Sequence, residues 1–154
     1  MRLSKRGEYG LRAMMRLAEF YQPVEPHVLT KIRELSEVEN IPMKYLEQIL
    51  LTIKNAGLLN SKKGIHGGYY LAKSPSEITL GQIVRILDGP LAPIRCVSQM
   101  AYEPCDCRDE KTCGLRLVML DVRNAIANIL DNTSLENISN RVNAVREELY
   151  GKES

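Results

Sequence analysis

Residues 40–72 read NIPMKYLEQILLTIKNAGLLNSKKGIHGGYYLA, and this stretch decides the fold. Its first half predicts a helix over 43–56, because the apolar residues recur at helical spacing on one face. Those residues are Leu46, Ile49, Leu50 and Ile53. Two short strands flank a glycine-rich turn at 64–68, which is the pattern of a β-hairpin. The stretch therefore predicts a helix that leads directly into a hairpin.

Two further helices are predicted before this stretch, over 8–21 and 28–39. After the hairpin, Thr79 and Gln82 have the spacing of a capping box, which opens another helix. A helix, a helix-turn-helix pair and a glycine-tipped hairpin, in that order, are typical of a winged helix-turn-helix domain. We therefore predict a mainly α fold with a small β-hairpin wing and DNA binding.

Helical periodicity returns at residue 115. Apolar residues spaced by three and four form a narrow stripe typical of a coiled-coil seam: Leu115, Val118, Val122, Ile126 and Ile129. A final helix is indicated by Ile138, Val142, Val145 and Leu149, and a capping box at Thr133 and Glu136 opens it.

Charge is distributed unevenly along the 154 residues. Residues 1–73 hold 12 basic and 7 acidic residues, whereas residues 74–154 hold 9 and 12, so that the net charge is only +2. The excess positive charge lies on the half that carries the predicted wing, as expected for a module that binds a polyanion. No apolar run is long enough to span a membrane. The basic N-terminus is not followed by the apolar segment of a signal peptide, so we expect a cytoplasmic protein.

The predicted DNA-reading surface is the solvent-facing start of the third helix together with the wing. Base readout at the N-terminal turns of such a helix is assigned to Lys44, Tyr45, Glu47 and Gln48. Lys63 and His66, with Lys62, form a basic wing tip for phosphates or a minor groove, and Arg2, Ser4 and Lys5 are placed to contact phosphate. The alternative is a solvated polar face and a purely structural hairpin.

All four cysteines lie within one irregular segment. Cys96, Cys105, Cys107 and Cys113 have the spacing C-x8-C-x-C-x5-C. Structural zinc sites usually contain Cys-x2–4-Cys pairs, which are missing here, so an iron–sulfur cluster suits the loop better. Arg95 and Arg108 are positioned to lower thiol pKa values. The alternative is a thiol switch, in which two of these cysteines form a reversible disulfide.

These features together resemble the bacterial iron–sulfur cluster regulators of the IscR, NsrR and CymR type. The resemblance runs from Met1 to about Thr133. It rests on Met1-Arg2-Leu3-Ser4 with Gly7 and Tyr9, on Tyr45-Leu46-Glu47-Gln48, on Gly64 with Gly67-Gly68-Tyr69, and on the cysteine loop before a long helix. It implies a homodimer on a palindromic operator. The expected regions are a DNA-binding domain at 1–89, a cluster loop at 90–114, and the dimerisation and C-terminal helices at 115–154.

The resemblance also implies a ligand set for the cluster, which is expected to be [2Fe–2S]. Cys96, Cys107 and Cys113 match the three family cysteines, and Cys105 is an additional thiol that could replace one of them or add a fourth ligand. Arg116 stands where one branch of the family has a histidine ligand. Other branches use an acidic residue of the partner subunit at position 8, so Glu8 is a candidate ligand, or else a first-turn acid that stabilises its helix.

The predicted function is a dimeric transcription regulator whose operator affinity depends on the cluster. A metal-free thiol-redox regulator or a partner-controlled repressor is the alternative within regulators, and an iron–sulfur electron carrier is the alternative from another class. We do not expect an enzyme, because the two histidines lack a nucleophile partner and the glycine loop lacks the Lys-Ser/Thr of a phosphate loop.

Overall fold

A computed structural model describes residues 2–151 of the chain. These residues form six α-helices and one β-hairpin, in the order α1 Lys5–Glu19, α2 Ile32–Glu39, α3 Met43–Asn55, β1 Leu59–Lys62, β2 Gly68–Leu71, α4 Leu80–Asp88, α5 Gly114–Asp131 and α6 Leu135–Tyr150. Single 3-10 turns lie at Pro75–Glu77 and Arg95–Val97. Met1 and residues 152–154, which belong to the predicted N-terminal match and C-terminal region, lie outside the described residues.

Helix α1 begins at Lys5, three residues earlier than the apolar pattern predicted. Ser4 is its N-cap, and the Ser4 hydroxyl accepts the N–H of Gly7 at 2.9 Å. Asp88, the last residue of α4, also lies at this helix start: its carboxylate accepts the Ser4 N–H at 3.0 Å and the Ser4 hydroxyl proton. A carboxylate at a helix N-terminus is favourable for the helix dipole, so this contact ties α1 to the end of α4.

The helix-turn-helix pair is formed by α2 and α3. Asn40 ends α2 in the left-handed conformation, with φ of 52°, and buried Ile41 follows it in the turn. The predicted apolar face of α3 is confirmed, because all four of its residues are fully buried: Leu46, Ile49, Leu50 and Ile53. Burial of that face leaves the opposite face of α3 in solvent.

Helices α1, α3 and α4 pack closely around this core. Gly10 of α1 lies against α4, and a Cβ built there would stand 2.1 Å from Cδ1 of Leu87 and 3.3 Å from Cγ2 of Ile49. The end of the Leu87 side chain therefore fills the space that a side chain at position 10 would enter.

The wing is an antiparallel hairpin in which Leu59 pairs with Leu71 and Lys62 with Gly68. Thr30, just before α2, exchanges two backbone hydrogen bonds with Tyr69 at 3.0 and 2.8 Å. The wing is thereby attached to the helix-turn-helix pair by a third short stretch of extended chain.

One attachment of the C-terminal helices to the DNA-binding half lies where α4 and α6 begin. The capping box of Thr79 and Gln82 is confirmed at the start of α4. The prediction for α6 was wrong by one residue, since Ser134 and Asn137 form the capping box in place of Thr133 and Glu136. The shift follows from tertiary structure, because the backbones around Ser134 and Thr79 form a β-bridge that fixes where α6 begins.

A second attachment is the ion pair between Arg85 of α4 and Asp131 of α5. Two parallel hydrogen bonds of 2.5 and 2.9 Å join the guanidinium to the carboxylate. The hydrogen bonds from Arg85 hold the pKa of the Asp131 carboxyl below its usual value. Because Asp131 is partly exposed, we expect a stabilisation of about 0.5–1 kcal/mol.

We therefore expect Asp131→Asn to lower the free energy of unfolding by about that amount at neutral pH. A depressed folded-state pKa stabilises the fold fully above the ordinary aspartate pKa of about 4, and this stabilisation disappears as the pH falls through the folded-state value. Urea unfolding at pH 7 and at acid pH tests this. A difference between the two proteins that grows on acidification would contradict it.

Within residues 2–151, no helix combines the length and the apolar character needed to cross a membrane.

Candidate nucleic-acid interface and cysteine loop

The solvent-facing start of α3 presents three of the predicted base-reading side chains. Lys44, Glu47 and Gln48 are exposed. Leu46 and Ile49, on the opposite face of the same turns, are fully buried. Their burial fixes the rotation of α3 about its axis, so the three polar side chains point outward. On this surface Lys44 can donate hydrogen bonds, Glu47 can accept them, and the amide of Gln48 can do both.

Tyr45 has a structural contact as well as an outward-facing edge. It is half-buried, and its ring meets the Tyr9 ring of α1 edge to face, with centroids 5.7 Å apart. The Tyr9 ring also has the Lys5 ammonium and the Arg12 guanidinium 5.6 Å from its centroid. These contacts join the start of α1 to the recognition helix and place two cations beside it.

The N-terminal residues differ in their freedom to contact DNA. Arg2 and Lys5 are exposed at the start of α1. Ser4, although exposed, already bonds Asp88 and caps the helix through Gly7. The bond to Asp88 could not be predicted from the sequence, because the two residues are 84 positions apart.

The tip of the wing is fully open to solvent. Lys63 and His66 are exposed, and Ile65 between them is 85% exposed. Lys62 instead turns back toward Glu25, with its Nζ 3.6 Å from the carboxylate. The turn needs glycine at position 67, because a Cβ there would lie 2.0 Å from the backbone oxygen of Lys62.

The four cysteines are free thiols in two different environments. Cys96 is 5% exposed, on the 3-10 turn that packs beneath α5. Cys105 is exposed, whereas Cys107 and Cys113 are half-buried, and Cys113 stands at the N-cap position of α5. The cysteine loop therefore has a buried end and a solvent-facing end.

Cys105 and Cys107 are in contact with each other in the solvent-facing part of the loop. The Cys105 sulfur accepts the backbone N–H of Cys107 at 3.2 Å. The neighbouring sulfur of Cys105, followed by burial and the charge of Cys113, raises the pKa of the Cys107 thiol to about 11. This direction is opposite to the lowered thiol pKa expected from Arg95 and Arg108, since Arg95 is paired with Glu103.

Glu110 and Tyr102 organise this part of the loop, and no sequence pattern indicated either residue. One carboxylate oxygen of Glu110 accepts the Tyr102 hydroxyl and the other accepts the Cys105 N–H, each at 2.6 Å. The Tyr102 hydroxyl bond, and next the Cys105 N–H, lower the pKa of Glu110, and the same Glu110 contact raises the pKa of Tyr102. We call this pair of hydrogen bonds the Glu110 brace.

Glu8 lies outside the cysteine loop in this single chain. Its carboxylate is 3.4 Å from the Lys5 ammonium and 3.8 Å from the Arg12 guanidinium. Both contacts lie along α1 itself, at i,i+3 and i,i+4 spacing.

The donor chemistry of the loop fits an iron–sulfur cluster, because thiolates are the usual ligands of such clusters. Cys105 and Cys107 are in contact, since the Cys105 sulfur accepts the Cys107 N–H. Across residues 2–151, no group of three or more His, Cys, Asp or Glu side chains is arranged to hold a metal ion. Binding by all four cysteines therefore requires the loop to bring Cys96 and Cys113 toward this pair.

An apolar surface lies beside the cysteine loop. Leu115 and Val118 of the predicted α5 stripe are more than half exposed, whereas Ile126 packs against α4. A groove of about 1350 Å³ opens between α1, α4 and α5. Its apolar lining includes Leu3, Leu11, Leu80, Leu91 and Leu130. Apolar surface of this extent is typical of an interface.

Comparison with known proteins shows the family to which the chain belongs. The profile of the Rrf2 family, described as iron-dependent transcriptional regulators, matches residues 3–141. The chain belongs to the Rrf2 family. It is 36% identical to a putative rrf2-like HTH-type regulator of Rhodobacter capsulatus over 137 residues, which cover 88% of this chain and 91% of the relative. It is 31% identical to the regulator CymR of Bacillus subtilis over 147 residues, 96% of each chain.

Solved structures of the Rrf2 family share the fold. The structure of CymR, the global cysteine regulator of B. subtilis, superposes with a TM-score of 0.75 at 30% identity, covering 92% of this chain and 98% of CymR. The T. potens IscR structure superposes with a TM-score of 0.73 at 25% identity, covering 99% of this chain and 94% of the IscR chain. The predicted mainly α winged helix-turn-helix fold and the family resemblance are confirmed. The relatives are transcription regulators, so this Rrf2 chain is a DNA-binding regulator and not an enzyme.

Proposed function

We propose that this Rrf2 chain is a cytoplasmic, homodimeric regulator whose operator affinity is controlled by an iron–sulfur cluster, expected to be [2Fe–2S], on the cysteine loop. The observation that carries the proposal is the contact between Cys105 and Cys107, 3.2 Å from sulfur to backbone nitrogen, in the short segment that ends with Cys113 at the N-cap of α5. The description of the family as iron-dependent supports it.

The candidate ligands are the four loop cysteines, Cys96, Cys105, Cys107 and Cys113, together with Glu8 of the partner subunit. When bound, the cluster supplies a group that oxygen, nitric oxide or iron shortage can destroy. The protein's part is to supply the thiols from one loop, and each ligating cysteine would give its proton to solvent on binding.

The loop is placed to transmit a change to DNA because it joins the two halves of the chain. At one end, Asp88 of α4 holds the start of α1 through Ser4. At the other end, Cys113 begins α5. A dimer must present two recognition helices about 34–36 Å apart, so a small change in loop order alters operator affinity.

The proposed DNA contacts divide into base readout and phosphate positioning. Base readout is assigned to the exposed start of α3, with Lys44, Tyr45, Glu47 and Gln48. Phosphate positioning is assigned to Arg2, Ser4 and Lys5 at the start of α1, and to Lys63 and His66 on the wing.

Lys63→Ala and Gln48→Ala should have different effects on DNA binding. Loss of one phosphate contact at Lys63 should weaken binding to every sequence and lower the log–log salt slope by about 1. Loss of Gln48 should cost about 1–3 kcal/mol at one base position and leave the slope unchanged. Fluorescence anisotropy at several salt concentrations measures both, with Arg141→Ala on exposed α6 as the control. An unchanged salt slope in Lys63→Ala would contradict the proposed phosphate contact of the wing.

The proposed dimer interface is the exposed stripe of α5, with the groove beside α1 and α4 covered by the same region of a second copy. The chain thus divides into a DNA-binding domain at 1–89, a cluster loop at 90–114 and a dimerisation region from 115 onward. Burial of apolar surface drives the association.

Val118→Asp should separate the subunits. Val118 is 56% exposed, so the monomer fold tolerates the change. A charge buried at the interface should weaken dimerisation by roughly 30-fold or more, which corresponds to about 2 kcal/mol. Sedimentation velocity measures the result, and Asn124→Asp at an exposed polar position of the same helix is the matched control. A Val118→Asp protein that remains a dimer would refute this interface.

A metal-free thiol sensor is the second candidate function. The contact between Cys105 and Cys107 favours it, because neighbouring thiols can form a reversible disulfide. One solved relative is itself described as a cysteine regulator. In this case Cys107→Ala would change the redox response of a protein that never held iron.

A further inference from the structure

We propose that Cys105 is the fourth ligand, so that one subunit holds the cluster through four thiolates and no carboxylate of the partner subunit is needed. This inference rests on the proposed function and names the ligand set of the same site. It separates Cys105 from Glu8, which are two candidates for the same coordination position.

The position of Cys105 is the first observation. Its sulfur accepts the backbone N–H of Cys107 at 3.2 Å. Cys107 is one of the three cysteines that match the ligands of the family. Cys105 therefore already lies beside one expected ligand of the cluster.

The Glu110 brace is the second observation. Glu110 fixes the backbone of Cys105 through a 2.6 Å bond to its N–H, and Tyr102 holds Glu110 through a second 2.6 Å bond. Because both oxygens of the carboxylate are used, this bend of the loop has a defined shape although it has no regular secondary structure. A ligand held in place before the metal binds loses less conformational freedom on binding. Glu110 is thus a positioning residue for Cys105.

The residues at the two competing ligand positions, Arg116 and Glu8, are less suited to bind iron than Cys105. Arg116 stands three residues after Cys113, and a guanidinium has no lone pair to donate to iron. Glu8 is engaged with Lys5 and Arg12 on its own helix. Thiolate is also the softer ligand and the usual one for iron–sulfur clusters.

Arg116 has a different use in this arrangement. It lies in the first turn of α5, which directly follows the N-cap residue Cys113, and so at the end of the helix that adjoins the loop. Its positive charge beside the loop offsets the negative charge that a fourth thiolate adds.

The test compares Cys105→Ala, Glu8→Gln and Glu110→Gln with the wild type after anaerobic reconstitution. The readouts are iron and acid-labile sulfide per monomer, the visible spectrum, the electron paramagnetic resonance of the reduced cluster, and the lifetime of the absorbance in air. We expect Glu8→Gln to match the wild type in all four. Cys105→Ala should lose at least half of its iron or show a shifted resonance, with a lifetime at least ten-fold shorter.

Glu110→Gln should keep the wild-type resonance, because the ligands are unchanged, but lose its absorbance several-fold faster in air. Glu110→Asp should restore part of that lifetime. A Cys105→Ala protein with the wild-type spectrum and iron content, together with an altered Glu8→Gln spectrum, would overturn the assignment in favour of the partner's carboxylate. A wild-type chain that takes up no iron would instead overturn the proposed function itself.

Discussion

Replacing Cys107 with alanine is expected to abolish the visible absorbance of the reconstituted protein and to remove the dependence of operator affinity on iron. Cys107 lies between Cys105 and Cys113 in sequence, and its N–H bonds the Cys105 sulfur at 3.2 Å. Its replacement by alanine removes the middle one of these three candidate ligands. Absorption spectra and iron content measure the first effect, and DNA binding before and after iron removal measures the second.

The fold should survive this change, because Cys107 lies in an irregular loop outside the buried core. Arg108→Ala, at the next position and exposed, is the matched control and should keep both colour and response. Retention of the full visible spectrum by Cys107→Ala would show that the cluster, if present, is held elsewhere.

The largest effect on stability is expected for Leu46→Ala. Leu46 is fully buried in the first turn of α3, and removing a buried leucine side chain in this way costs about 2–5 kcal/mol. Whole domains are stable by only about 5–15 kcal/mol, so a substantial part of the stability is lost and DNA binding weakens with it. Urea unfolding monitored by circular dichroism gives the difference directly.

Leu51→Ala on the same helix is the control for this prediction. Leu51 is 55% exposed, so the same chemical change there should alter stability by no more than about 0.5 kcal/mol. Equal losses for the two variants would mean that the orientation of α3 is wrong, and with it the set of residues assigned to base readout.

The helices and the wing could be predicted because they depend on local pattern. The spacing of Leu46, Ile49 and Leu50 predicts which face of α3 is buried, and therefore which residues face solvent. The glycines at 67 and 68 predict the turn of the wing for a similarly local reason. The exposed residues of the recognition helix follow from the first of these patterns, and the position of the wing follows from the second.

Helix boundaries set by distant partners could not be predicted. Ser4 caps α1 while bound to Asp88, and Ser134 begins α6 within a β-bridge to Thr79. Neither partner lies near in sequence, so the apolar pattern began α1 too late and the capping pattern began α6 one residue early. Such contacts follow from packing rather than from local periodicity.

The cysteine loop shows the same limit at the candidate site. The spacing of the cysteines predicts a ligand loop, but not which of them are neighbours. The Glu110 brace spans eight residues without regular secondary structure, so no periodicity indicates it. Arg95 was expected to act on the thiols, yet its charge is paired with Glu103.

The most direct test of iron–sulfur control uses one anaerobically purified sample. Iron and acid-labile sulfide are measured with the visible spectrum, and affinity for a DNA duplex selected from a random library is measured before and after removal of the cluster. We expect iron and sulfide in equal amounts, charge-transfer absorbance in the visible range, and an affinity change of at least roughly 5-fold, as in typical allosteric coupling. A colourless protein without iron, or one whose affinity does not change when the cluster is removed, would contradict the proposal.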